Sequence, residues 1–295
     1  MTTQTDINLK PLDETAMLIS LTMGNWNAFK FDRKITDKIN YDYGANGDVS
    51  RVNKRIIAVE EIKKINKIVN KTRTYFYQQT LPWDATGWFV IPVNNLDKVT
   101  EKLRENRVKF EKTVNHFLSI YPDLKERAKM DLNGMYKKKD YPSIEKLEAK
   151  FHYSFDIKPI PSTDFRVSIQ SSEVDKIRVQ IENQKNQARI DISQDLWGRV
   201  HGVIEKMVER LDSVDKTFRD SLIWNVCEVA ELLPSLNINN DKGLSDMADK
   251  IMEKLCVHEP EELRNNPITR QAVCNQAKGI LKETDAIMDK MKGLF

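Results

Sequence analysis

Apolar residues recur at helical spacing along most of this chain, and the places where that rhythm stops define its organisation. Leu96, Val99, Leu103, Phe110, Val114, Phe117 and Tyr121 follow at intervals of three, four, seven, four, three and four, a heptad-like seam with one polar interruption. Val200, Ile204, Met207, Leu211, Val214 and Phe218 keep four-three spacing, and Leu222, Val226, Val229 and Leu233 extend the row through a stutter. The rows are similar in length. The spacing therefore predicts an antiparallel helical hairpin that buries Leu103, Phe110, Val114, Met207, Leu211 and Val214 together; the alternative pairs the second row with its own copy. Pro122 is expected to end or kink the first helix, with a short helix following from Asp123 to Tyr136, and Pro234 to close the second.

Between the two rows, Tyr141 to Ile169 cannot be one helix. Pro142 biases Tyr141 towards an extended backbone, Ser143 can cap a short helix from Ile144 to about Lys150, and Pro159 and Pro161 stop that helix. Phe165, Val167 and Ile169 then alternate with polar residues as a short strand, and helical periodicity resumes near Glu173. Earlier in the chain Met17, Ile19, Leu21 and Met23 alternate, as do Phe29 and Phe31, which predicts a hairpin or two short strands. Asn46-Gly47 is the strongest turn signal.

A helix is expected from Val49 to Gln79 on the spacing of Val52, Ile56, Val59, Ile62 and Val69, and its other face is basic. Arg51, Lys54, Arg55, Lys63, Lys64, Lys67, Lys71 and Arg73, with Tyr75 and Tyr77 at its end, could neutralise phosphates and stack bases, although a charge run on a helix is commonly only a solvated face. Trp83 and Trp88 lie in an apolar, proline-broken stretch and are expected to pack against the following helix. The fold class is thus mainly α with a small β element, divided as 1–95, 96–233 and 234–295, the last a helical cap.

Composition sharpens the charge picture. Lys and Arg total 47 against 44 acids, but the balance is +7 up to residue 204 and −4 beyond it. The three cysteines, Cys227, Cys256 and Cys274, include no CxxC pair, so neither a disulfide framework nor a zinc site is expected and a reducing cytoplasm is the natural compartment. A signal peptide and a membrane-spanning run are likewise not expected.

Motifs for phosphate loops, dinucleotide folds, nucleophile elbows and zinc proteases do not occur in the sequence, and no catalytic residue, cofactor or metal is assigned. Cys256 with His258 lacks partners at zinc spacing. Glu205, Glu209 and Asp212 read as a solvent face.

The segments LPWDATGWFVIP, FLSIYPDL, YPSIEKLEAKF and PIPSTDFRV, in that order, resemble a family of phage and bacterial proteins classed as a domain of unknown function. Members of that family are often encoded beside MoxR-type AAA ATPases, which implies a part in an ATPase-driven remodelling system and supplies no catalytic residues. The expected function is a non-enzymatic helical interaction or scaffold protein, a phage adaptor for an AAA ATPase or a self-assembling chain in the host cytoplasm. Nucleic-acid binding through residues 51–73 and the nearby aromatics is the alternative.

Overall fold

The computed structural model describes residues 10–163, 171–213 and 215–292. Along the chain the elements are α1 (Leu12–Thr15), β1 (Ala16–Gly24), β2 (Phe29–Phe31), α2 (Arg33–Asp42), β3 (Asn53–Arg55), α3 (Val59–Gln79), β4 (Leu81–Pro82), β5 (Phe89–Pro92), α4 (Val93–Leu132), α5 (Ile144–Glu148), β6 (His152–Pro159), α6 (Ser171–Leu211), α7 (Ser221–Leu236), α8 (Lys242–Leu255), α9 (Pro260–Asn265) and α10 (Pro267–Lys292). The chain is mainly α with a small antiparallel β element, as its patterning predicts. No helix among the described residues is long and apolar enough to cross a membrane.

Two compact units share the sequence in alternation. Unit 1 takes 1–20, 79–97 and 157–295, and unit 2 takes 21–78 and 98–156. The expected division into three consecutive stretches gives way to this interleaving, because long elements carry the chain from one core into the other.

The larger sheet orders its strands as β4-β5-β1-β6, and within unit 1 Ala16 stands opposite Pro92 and Ile19 opposite Phe89. Of the expected hairpin or two short strands, the strands form but not the hairpin, since β1 pairs with β5 and β2 with β3. Trp83 is buried in this unit's core with Leu81 and Val90, beside Leu196, Trp197, Val200 and Ile204 of α6, rather than against the helix that follows it. Trp88 lies under the Lys158 ammonium at 3.8 Å.

Met207 and Leu211 are buried against Ile223, Val226 and Ala230 of α7 and Val273, Ala277 and Ile280 of α10. α6 does not run on to Pro234: it stops at Leu211, and α7 begins at Ser221. Arg270 of α10 holds that break, since its guanidinium donates to the carbonyls of Leu211 (3.3 Å), Arg210 (2.8 Å), Lys216 (2.7 Å) and Ser213. Those of Arg210 and Leu211 are among the carbonyls a helix end leaves without partners, and those of Ser213 and Lys216 belong to the loop that follows. Trp197 Nε1 donates to Asp241 (3.0 Å), whose other oxygen caps α8 at Leu244 N (3.2 Å).

Cys227 and Cys256 are joined as a disulfide, Cα to Cα 5.7 Å, and Cys274 is free and buried. The expectation of no disulfide considered only local spacing; packing of α7 on α8 brings together residues 29 apart in sequence.

In unit 2, α3 and α4 build the core. Phe110, Val114, Phe117 and Tyr121 of α4 meet Ile62, Ile65 and Val69 of α3, with Trp26 edge-on to Tyr121 at a centroid distance of 6.1 Å. Leu103 is fully buried, and its carbonyl accepts from the Tyr153 hydroxyl at 2.8 Å. The two seams expected to face one another thus lie in different cores, each covered by helices and strands of its own unit.

α4 runs straight through Pro122 and ends at Leu132, next to Asn133, whose φ is +43°. Ser143 caps α5 as its sequence predicts, accepting from Lys146 N at 3.4 Å. The strand after it is β6, where Tyr153, Phe155 and Ile157 alternate; the strand expected at Phe165 to Ile169, and the seam residue Val214, lie outside the described residues.

Candidate nucleic-acid interface

Residues Arg51, Lys54 and Arg55 are not on a helix. They lie in and before β3, which pairs antiparallel with β2 so that Phe29 faces Arg55, Lys30 faces Lys54 and Phe31 faces Asn53. Directly opposed residues share a face of a ribbon. One face therefore carries Phe29, Phe31 and Arg55, and the other carries the two lysines.

The aromatic face is open. Phe29 and Phe31 are 43% and 45% exposed, with the Arg55 guanidinium 5.2 Å above the first ring and that of Arg51 4.9 Å above the second. Exposed phenylalanines under guanidinium groups offer a flat apolar surface beside a positive charge, the pairing that lets a base stack while its phosphate is neutralised. Ala28, just before, holds φ +56°, a left-handed conformation that costs a residue with a Cβ roughly 1–2 kcal/mol. It carries the chain from buried Trp26 to exposed Phe29, and its carbonyl accepts from Ile56 N at 2.9 Å.

Lys54 points inward. Its Nζ lies 3.2 Å from Asp32, 2.8 Å from Asp140 and 2.7 Å from the Met135 carbonyl, and Lys137 meets Asp32 at 3.2 Å. Burial alone pushes the Lys54 ammonium towards deprotonation, but the two carboxylates outweigh it and hold its pKa above the ordinary lysine value. Burial likewise pushes the Asp32 carboxyl up, and Lys54 with Lys137 more than reverses that. Lys54 is structural and is withdrawn from the interface.

On α3, Lys63, Lys67 and Lys71 stand four residues apart on the face opposite Ile62, Ile65 and Val69, and all three are exposed. Lys63 pairs with Glu60 (3.2 Å) and Lys64 with Glu61 (2.7 Å), whereas Lys67 and Lys71 make no ion pair among the described residues. Arg73 donates to the Met23 carbonyl at 2.8 Å. Tyr75 is half-buried, its hydroxyl pushed up mainly by burial, while Tyr77 is 51% exposed.

The basic stripe and the ribbon meet at a small pocket of about 180 Å³ bordered by Phe29, Arg55 and Lys63. Lys30, Phe29, Phe31, Lys139, Lys146 and Lys150 belong to the same unit's surface and are not among the residues the sequence assigns to the interface. Their signals were the Phe29/Phe31 alternation and the Lys137-Lys138-Lys139 run, which acquire meaning only through the pairing of β2 with β3.

Charge divides by unit more steeply than by position along the chain. Unit 2 carries 26 Lys and Arg against 16 Asp and Glu, net +10, and unit 1 carries 21 against 28, net −7. No group of three or more His, Cys, Asp or Glu that could hold a metal occurs among the described residues. Of the other candidates, Asp212 pairs with Lys278, Cys256 is in the disulfide, and His258 bonds to Glu262 at 3.0 Å. Comparison with protein-family models, curated proteins and solved structures finds no match for this chain.

Proposed function

We propose that the chain binds nucleic acid through unit 2. The observation that carries this reading is the +10 charge of a unit that also exposes Phe29 and Phe31 beneath arginines. A duplex or strand bound mainly through its phosphates releases counterions as Lys and Arg replace them, so affinity falls linearly with salt on logarithmic axes. Titration of labelled single- and double-stranded DNA with the full chain at several salt concentrations tests it. Steeply salt-dependent binding is expected; no binding at low salt, or binding indifferent to salt, removes the reading.

A protein partner is the second reading, and one observation favours it. On acidic unit 1, Trp224 is 58% and Val257 61% exposed, each within one helical turn of the Cys227–Cys256 link. An exposed tryptophan on a rigid scaffold is a common anchor for a protein contact. An AAA ATPase, as the resemblance implies, or a second copy are the candidates. Mass photometry and co-purification of the protein with Trp224→Ala as control would test this; a monomer that retains no partner counts against it.

A further inference from the structure

A second cleft opens on the other side of Phe29 in unit 2, about 450 Å³ in volume and walled by Lys30 on β2 and by Lys139, Lys146 and Lys150 around α5. The volume lies within the range of small-molecule sites. None of the four lysines makes an ion pair among the described residues, and all four are exposed. The one acid in the wall is Asp140, whose carboxylate is taken by Lys54 at 2.8 Å. Lys54, Lys137, Asp32 and Asp140 together sum to zero charge, so the cleft keeps four uncompensated ammonium groups. Glu145 and Glu148 do not line it.

Like charges gathered without counter-charges repel, and a bound anion relieves that repulsion. The wall also contains rings. Trp26 and Tyr141 are 8% exposed, so Phe29, at 43%, is the ring with an open surface. We propose that this cleft holds a nucleoside phosphate, its phosphate on the four lysines and its base against Phe29. The inference rests on the nucleic-acid reading for the strand as source, and a free nucleotide carries the same chemistry. Within a strand the base must be unpaired to reach a ring, so single strands fit where duplexes offer only phosphates.

The test uses the full chain and three probes: a labelled oligothymidylate, a duplex of equal length, and ATP. The variants are Lys146→Glu with Lys150→Glu, and Phe29→Ala, with Lys67→Ala and Lys71→Ala as the comparison on α3. Single-strand affinity should fall at least about tenfold in each of the first two, while Phe29→Ala changes duplex affinity less than about twofold. Direct ATP binding that these variants abolish, without any strand binding, would keep the cleft as a nucleotide site and overturn the nucleic-acid reading. Strand binding lost only in the α3 variant would overturn the cleft and leave that reading standing. Failure of all three probes to bind the folded wild-type chain overturns both. Circular dichroism confirms that each variant is folded before its affinity is read.

Discussion

Lys54 and Asp32 form an ion pair of 3.2 Å with both side chains 2% exposed. Removing one partner of a buried pair leaves the other charged and dry, which costs about 3 to 5 kcal/mol. Lys54→Met should therefore lower the unfolding free energy of unit 2, read from denaturant titration, by that amount while leaving nucleic-acid affinity of the folded protein within about twofold. A variant of normal stability that binds weakly would return Lys54 to the interface.

High pH should unfold unit 2. Burial pushes the phenols of Tyr121, Tyr141 and Tyr153 up, to about 12 for the last two. A group whose folded pKa lies above its unfolded value contributes stability that is complete below the unfolded value, near 10 here, and is lost as pH rises through the folded one. The raised Lys54 acts in the same direction. The phenols of Tyr121, Tyr141 and Tyr153 should ionise together with loss of structure between about pH 10 and 12. Ionisation of Tyr121, Tyr141 and Tyr153 near pH 10 with the fold intact would contradict this.

Leu211→Ala should cost about 2 to 5 kcal/mol, the range for emptying a closed core site. Its side chain, 1% exposed, is covered within unit 1. The loss should not depend on protein concentration in a melting series; a concentration-dependent midpoint would move this residue to an interface between copies.

Reducing Cys227–Cys256, or replacing both with serine, should remove about 3 to 4 kcal/mol from unit 1, since the link closes a loop of 29 residues. Melting with and without reductant measures it, and Cys274→Ser is the control that should make melting no less sensitive to reductant. Equal melting in both conditions would mean the link carries no stability.

The long helices were legible because they present apolar faces, and Ser143 before Ile144 declared its cap, whereas α2 and α9 carry too few apolar residues to stand out. What escaped was set by distant partners. Val52, Ile56 and Val59 keep helical spacing, yet residues 53–55 pair with β2, so a strand replaces the first turns of the expected helix. Leu211, Phe218 and Leu222 continue a four-seven rhythm across a break that Arg270 stabilises from 59 positions away. Of the candidate interface, the α3 lysines were visible as a stripe. Lys54 was indistinguishable from them, because nothing local distinguishes a lysine that will meet Asp32 and Asp140 from one that will meet water.

The alternation of the two units along the chain sets an order of events during synthesis. Everything unit 2 needs has been made once Asp156 is added, whereas the core of unit 1 waits for residues as late as Ile280. At about 5 to 20 residues per second, that wait is roughly 6 to 25 s. Until α6 is complete at Leu211, Leu12, Leu18, Leu81, Trp83 and Val90, all destined for burial, have no complete helix from the 171–280 stretch to cover them, and α7, α8 and α10 follow later still. A nascent chain in this interval presents a finished basic unit joined to a sticky, half-made one, so chaperone capture should be concentrated on the early segments of unit 1.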